Sequence, residues 1–455
     1  MSFTYEEAVQ RLAWLGHEGR ALKWDLKNIR AVLAALGNPE QAWRSVHIAG
    51  TNGKGSVAAM LDSILRAAGY RTGLYTSPHL VRINERIRVA GTEISDREFA
   101  AAFTAVEGIT EALLARGDLR DHPSFFETLT AMACWHFRET GVEVALLEVG
   151  MGGRLDATNV VTSLVSIITQ VDFDHERYLG SSLEQIAGEK AGILKPGVPA
   201  VIAAAHPAAL QIIRERAAAV GAPVVELDAD YCAEPVRPRG DGLYEAELMA
   251  ADGFHLRLAP GLRGRAQVRN AATAAVAARL LNVGGLPLPA EAVVRGIAEV
   301  RWPGRLECVG TSPAVYLDGA HNPAAARELL RFWEEECSGR NIHLVFGAMR
   351  DKAVEEMADL LFHQPVSVTL TQADSPRAAS AEALARLART LNPRVFVEPD
   401  PVRAFFQARA LATPQDVVFV AGSLYLVGVV KKALRAQPEP AEISPLAASR
   451  PGAPV

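Results

Sequence analysis

Gly50-Thr51-Asn52-Gly53-Lys54-Gly55-Ser56 decides the reading of this chain. Val46-His47-Ile48-Ala49 before it reads as a short strand, and Val57 to Ala68 after it as an alanine- and leucine-rich helix. Strand, glycine turn and helix together form a cradle for phosphate. Backbone N–H groups and a helix N-terminus face the anion, Lys54 adds a point charge, and Ser56 offers a hydroxyl to Mg²⁺. The common pattern places four residues between the first glycine and the Gly-Lys pair, whereas here Thr51 and Asn52 alone intervene. The loop is a variant that predicts a nucleoside triphosphate, ATP, and leaves its use open.

Composition narrows the classes. The chain has 455 residues and 49% hydrophobic content, enough for two or three domains with their own cores. A net charge of −5 argues against nucleic acid or an anionic membrane as a general partner. Cys134, Cys232, Cys308 and Cys337 form no C-x-x-C pair and suggest no disulfide framework. The acidic start, Met1-Ser2-Phe3-Thr4-Tyr5-Glu6-Glu7, lacks an apolar signal segment, and no apolar run approaches the ~20 residues that span a bilayer. A soluble cytoplasmic protein is expected.

Strand and helix patterns alternate outward from the cradle. Strands are expected at 72–75, 142–149, 163–169, 198–203 and 223–227, with helices at 56–68, 125–140 and 208–220 between them. That order predicts an α/β fold with a parallel sheet wrapped by helices. Residues 242–260 alternate apolar and polar around Asp252-Gly253 and predict a hairpin beside the sheet. The alanine-rich run 267–281 predicts a helix. The pattern restarts near Arg301, with strands expected at 315–317, 342–346, 367–370, 395–397 and 416–421. Residues 1–300 are therefore read as the nucleotide-binding domain and 301–436 as a smaller α/β domain. The Pro-, Ala- and Ser-rich residues 437–455 read as a disordered tail.

Several polar residues fall at expected strand ends. Glu148 closes an apolar run, which suits either a Mg²⁺ ligand beside a phosphate loop or a carboxylate facing water. Gly150-Met151-Gly152-Gly153 permits close ligand approach or a sharp turn. Asp174-His175 follows the next strand, where the imidazole is a metal ligand or a packing residue, although Mg²⁺ prefers oxygen. Lys190 taken alone reads as a solvated helix lysine. Arg305 at the domain junction is a phosphate clamp or an interdomain ion pair. Asp318-Gly319-Ala320-His321-Asn322-Pro323 is a ligand groove or an ordinary strand-to-helix turn.

The order of these runs resembles the folylpolyglutamate synthase/dihydrofolate synthase family of the Mur ligase superfamily. The matching runs are His47 to Ser56, Thr76-Ser77-Pro78-His79-Leu80 with Asn84-Glu85-Arg86-Ile87, and Ser124-Phe125-Phe126-Glu127. They continue with Glu148 to Asn159, Asp174-His175, Ile186 to Ile193, Pro303 to Glu307, Asp318 to Pro323 and Gly422 to Gly428. The likeness covers roughly residues 3–432. It departs at Ala421, where threonine is common, at Asp351-Lys352-Ala353, which lacks a second acid, and in the tail.

The resemblance implies a P-loop-containing Mur-ligase-like central domain followed by a smaller Rossmann-like glutamate-ligase domain. It implies an ATP-dependent amide ligase that joins L-glutamate to dihydropteroate and to reduced folates through an acyl phosphate. One of the two activities alone, or another Mur-type ligase, is the alternative. Gly50, Thr51, Asn52, Gly53, Lys54, Gly55 and Ser56 would hold ATP, with Asn270 at the adenine, Asp318 at the ribose side and Arg305 at phosphate. Ser56 and Glu148 would bind one Mg²⁺. His175 and a carbamylated Lys190 would bind a second, and a monovalent cation is a further possibility. Lys54, Lys190, His175, Arg305 and His321 would form the catalytic set. Ser77, His79, Arg82, Phe125, Phe126 and Asp156 would line the pterin pocket, and His321 and Ser423 would meet glutamate. A monomer is the family expectation.

Overall fold

A computed structural model describes residues 2–16, 25–373 and 375–436. The expectation of a disordered tail at 437–455 lies outside the described residues.

The first lobe is built on β1 (Arg44–Ala49), β2 (Thr72–Tyr75), β3 (Ile87–Val89), β4 (Thr92–Glu93), β5 (Val144–Glu148), β6 (Val165–Ile168), β7 (Ala200–Ile202) and β8 (Val224–Glu226). They form one sheet in the order β4-β3-β2-β5-β1-β6-β7-β8. The strands from β2 to β8 pair in parallel, as the strand–helix alternation predicts. The antiparallel edge formed by β3 and β4 was not expected from the sequence pattern. These strands are short and carry Arg88, Thr92 and Glu93, so they show no apolar run to read.

Side chains alternate across this sheet with the strand period of two. Val46, Ile48, Leu74, Val144, Leu146, Val165 and Ile167 pack against the helices Lys54–Ala67, Ala266–Val283 and Ala290–Glu299. Tyr75, Ala145 and Leu147 pack on the other face against Asp96–Arg116 and Phe125–Glu139. Burial on both faces is what a parallel sheet requires.

The expected hairpin belongs to a four-stranded sheet of β9 (Tyr231–Ala233), β10 (Arg237–Gly240), β11 (Leu243–Ala250) and β12 (His255–Leu258). The second lobe is a six-stranded sheet of β13 (Glu307–Thr311), β14 (Ala314–Leu317), β15 (Ile342–Phe346), β16 (Ser367–Leu370), β17 (Val395–Val397) and β18 (Val417–Ala421). Its order is β13-β14-β18-β15-β16-β17, and only the edge strand β13 runs antiparallel. β13 also escaped the sequence reading, because Glu307, Gly310 and Thr311 give it a half-exposed, weakly apolar pattern.

The helix Phe125–Glu139 is entered through a charged staple. His122 sends Nε2 to Glu107 Oε2 at 2.8 Å and Nδ1 to the Pro123 carbonyl at 2.9 Å, while Arg11 donates to Glu107 Oε1 at 2.9 Å. Both acceptors take protons, so the imidazolium fits best. Burial opposes the charge, but the Glu107 hydrogen bond, the Pro123 carbonyl and the Glu107 charge together outweigh it and raise the His122 pKa. Burial likewise opposes ionised Glu107, and His122 and Arg11 reverse that and lower its pKa. The raised histidine contributes stability below its unfolded pKa, which is lost as pH rises through the folded value. The lowered glutamate contributes above its unfolded pKa, lost as pH falls through the folded value. The staple should therefore be strongest between the unfolded Glu and His pKa values, ~4.3 and ~6.5. His122→Gln should lower stability by about 1.5–3 kcal/mol at pH 5.5 and by less at pH 9. Thermal unfolding at both pH values checks this, and an equal loss at both would contradict it.

Candidate active site

The loop after β1 is forced into shape by what it lacks. A Cβ on Gly50 would stand 1.8 Å from the Thr169 hydroxyl, and one on Gly53 would stand 2.5 Å from Asn270 Oδ1. Gly53 is left-handed, with φ of 88°, and is the N-cap of the helix Lys54–Ala67. Any side chain at either place would push the loop off β6 or off the helix Ala266–Val283. Thr169 donates to the Asn52 carbonyl at 2.8 Å, and Thr51 donates its hydroxyl to the Asp172 carbonyl at 2.9 Å. Helix N-terminal amides consequently face a cavity of about 220 Å³.

That cavity is lined by the loop 50–56 and by Ser77, Glu148, His175, Lys190, Asn270, Arg305, Asp318 and His321. Sequence positions spread from 50 to 321 thus meet at one place. Parallel pairing explains part of it, since Ile48 is in register with Glu148 and both strands end at the same edge. Glu148 is buried, which removes the reading of a carboxylate facing water. Its Oε2 accepts the Ser77 amide at 3.1 Å. Burial raises its pKa, opposed by Lys54 and the Ser77 amide. Burial pushes Lys54 down, opposed by Glu148 and Asp174, and its ammonium donates to the Gly50 and Thr51 carbonyls at 3.0 and 3.1 Å.

Lys190 is not a solvated helix lysine. It is 3% exposed and donates to the Gly50 carbonyl at 2.9 Å. Burial, with the nearby Lys54 charge, lowers its pKa to about 7, against the pull of Asp174. A neutral amine is therefore available near pH 7. His175 has a left-handed backbone, φ 53°, an uncommon conformation for a residue with a side chain. Burial and the Lys352 charge push its pKa to about 3, and its buried Nδ1 has no hydrogen-bond partner.

Asp174 ties the two lobes together. Lys352 of the second lobe reaches its Oδ1 at 2.5 Å, and His321 Nε2 and Asn322 Nδ2 approach Oδ2 at 3.4 Å each. Burial would raise the Asp174 pKa, but the His321 hydrogen bond and the Lys352 charge hold it far below the carboxylate range. Asn322 and Asn52 exchange side-chain hydrogen bonds of 3.0 and 3.2 Å across the same junction. Arg305 lies on the cavity wall, its Nη1 3.5 Å from the Gly304 carbonyl. Asp318 accepts the Leu306 and Ala320 amides at 2.8 Å each, which fixes the turn carrying His321.

A second cavity, of about 200 Å³, adjoins the first. Ser77, His175 and His321 line both, and Phe125, Phe126, Asp156 and Ser423 line the second only. Asp156 is largely engaged by protein donors. It accepts Gly150 and Met151 amides at 2.9 and 3.0 Å and the Thr158 amide at 3.0 Å, so it shapes the glycine loop between the cavities. His79 and Arg82 line neither cavity. His79 Nδ1 accepts from Arg86 at 2.8 Å, and Arg82 pairs with Asp96 at 2.5 Å. Lys352 and Arg377 were given no role in the sequence-derived site, and Asn322 was named only within the run 318–323. Lys352 and Arg377 line the second cavity, and Lys352 follows the end of β15, the same strand-end signal that drew attention to Glu148.

Among the described residues no three His, Cys, Asp or Glu side chains gather as a metal cluster. Ser56 and Glu148 still offer the hard oxygens that suit Mg²⁺. His175 and unmodified Lys190 do not complete a second oxygen-rich set.

Removing either half of the Asp174–Lys352 pair strands a buried charge. Lys352→Met and Asp174→Asn should each cost about 3–5 kcal/mol, and the double variant less than their sum. Unfolding midpoints of the three variants test this, and strict additivity would contradict the coupling.

The Mur ligase middle domain matches residues 48–278, and the Mur ligase, glutamate ligase domain matches residues 304–424. The chain is 36% identical to the dihydrofolate synthase/folylpolyglutamate synthase of Bacillus subtilis (strain 168), over 91% of this chain and 96% of that one. It is 33% identical to the enzyme of the same name from Escherichia coli (strain K12), over 95% and 98%. Mycobacterium tuberculosis folylpolyglutamate synthase complexed with ADP and AMPPCP superposes with a TM-score of 0.87 at 32% identity, over 96% of this chain and 100% of that one. E. coli FolC in complex with DHPP and ADP gives 0.84 at 32% identity, over 96% and 99%. The chain therefore belongs to the dihydrofolate synthase/folylpolyglutamate synthase family of Mur ligases.

Proposed function

We propose that the chain is an ADP-forming ligase that joins L-glutamate to dihydropteroate and to reduced folates. The observation that carries this reading is the junction of the two cavities. A phosphate cradle and a largely apolar, aromatic-walled pocket share Ser77, His175 and His321, so a carboxylate held in one pocket lies beside a terminal phosphate held in the other. The relatives' names supply the substrates: dihydrofolate and folylpolyglutamate synthesis, with ADP, AMPPCP and DHPP bound in solved structures. The division at residues 300/301, a cytoplasmic location and a monomer are part of the same reading. Among the described residues no helix is long and apolar enough to cross a membrane.

A carboxylate and an amine do not condense unaided, because oxide is a very poor leaving group. The acceptor carboxylate attacks the γ-phosphorus of ATP, the bond to the β-phosphate oxygen breaks, and ADP leaves. The α-amine of glutamate then attacks the acyl carbon and inorganic phosphate departs. The loop amides and Lys54 hold the phosphates, Arg305 meets the transferring group, and Asn270 and Asp318 orient the nucleoside. Ser56 and Glu148 would hold Mg²⁺, and His175 with a carbamate on Lys190 would hold another; these ions supply charge neutralisation on the phosphates. Lys190 suits that modification because it is a buried amine with a lowered pKa. His321 and Ser423 present donors to the incoming glutamate. Lobe closure keeps water from the acyl phosphate.

Lys54→Ala and Glu148→Ala should each abolish glutamate-dependent ADP release, and wild-type turnover in either would refute the assignment. Acceptor labelled with ¹⁸O in its carboxylate should pass one label to inorganic phosphate; unlabelled phosphate would rule out the acyl phosphate. ¹³C-bicarbonate should give a carbamate NMR signal that Lys190→Met removes, and an unchanged signal in the variant would place the modification elsewhere.

A further inference from the structure

Gly428 is the fifth residue of the helix Leu424–Ala436. Glycine is a poor choice inside a helix, and its reason lies in the other lobe. A Cβ at 428 would stand 1.8 Å from the Leu80 carbonyl oxygen and 2.9 Å from its carbonyl carbon. Leu80 belongs to the first lobe, in the loop after β2. Its side chain packs against the second-lobe core formed by Leu317, Leu426 and Val427, and reaches within 3.4 Å of where Gly304 would carry a Cβ. Leu80 is a knob of one lobe in a socket of the other, and the socket floor has no room for a side chain.

The knob is held stiffly. The amides of Leu80, Val81 and Arg82 donate to the Glu85 carboxylate at 2.7, 3.0 and 3.1 Å. At the other end of the same loop, the Ser77 amide donates to Glu148 Oε2 at 3.1 Å. The loop 77–82 is thus anchored at one end on Glu85 and at the other on Glu148. We propose that Leu80 and Gly428 are positioning residues: their contact carries the seating of the second lobe through the loop 77–82 to the Glu148 carboxylate. Neither touches a reacting group. The inference rests on the role given to Glu148 in the proposed reaction.

Gly428→Ala tests it, because alanine favours the helix but denies the seat. Hydrogen–deuterium exchange at the Ser77 amide should quicken about tenfold or more, and kcat should fall at least about tenfold. The KM for ATP should change much less, and exchange elsewhere in the second lobe should hold. A general packing defect would instead quicken exchange throughout the second lobe, and that pattern would overturn the proposal. Wild-type exchange at Ser77, with or without a fall in kcat, would also overturn it. Should Gly428→Ala fail to fold, Leu80→Ala decides by the same two readings. Exchange at Ser77 is measured without turnover, so failure of the ligase reading and failure of this contact are separable.

Discussion

The absence of a side chain at position 50 is the constraint on which the site depends. The Thr169 hydroxyl occupies the place a Cβ would take, so the loop after β1 lies flat against the end of β6. Only then do Lys54 and Lys190 both reach the Gly50 carbonyl, and the helix N-terminus opens toward Glu148. Parallel strands bring their C-terminal ends to one edge, and the glycine lets that edge close around an anion. Burying two lysines and a carboxylate within this edge is costly, and burial pushes the Lys54 pKa down and the Glu148 pKa up.

The second lobe contributes through contacts with the same edge. Asp174 accepts Lys352 in an ion pair whose two side chains are 7% and 8% exposed, and Asn52 trades hydrogen bonds with Asn322. A buried pair of this kind specifies geometry more than it adds stability. It therefore fixes where His321 stands relative to the phosphate loop, which a surface ion pair could not do.

Much of this was legible beforehand. The strands at 72–75, 342–346 and 367–370 fall where the apolar runs place them, because fully buried parallel strands advertise themselves, and the half-buried edge strand at 395–397 keeps an unbroken apolar run. The edge strands β3, β4 and β13 were not legible, since polar and glycine residues break any apolar run in them. The phosphate loop, Glu148, His175, Lys190, Arg305, Asp318 and His321 were all found from motif order, and they line one cavity. His79 and Arg82 show the limit of motif reading. They follow Ser77 closely, yet neither faces a cavity: His79 accepts from Arg86, and the exposed Arg82 pairs with Asp96. Lys352 was given no role although it follows a strand end, and Asn322 was named only within the run 318–323, because spacing along a chain carries no trace of which loop will meet which across a junction. The same holds for Gly428, whose need for glycine appears only when Leu80 is seen above it.

Glutamate-dependent ADP release by the purified chain, offered 7,8-dihydropteroate and tetrahydrofolate in separate reactions with mass spectrometry of the products, tests the central claim most directly. The account predicts ADP release with both acceptors, each product gaining glutamate. ADP release that ignores glutamate, or no turnover with either acceptor, would contradict it.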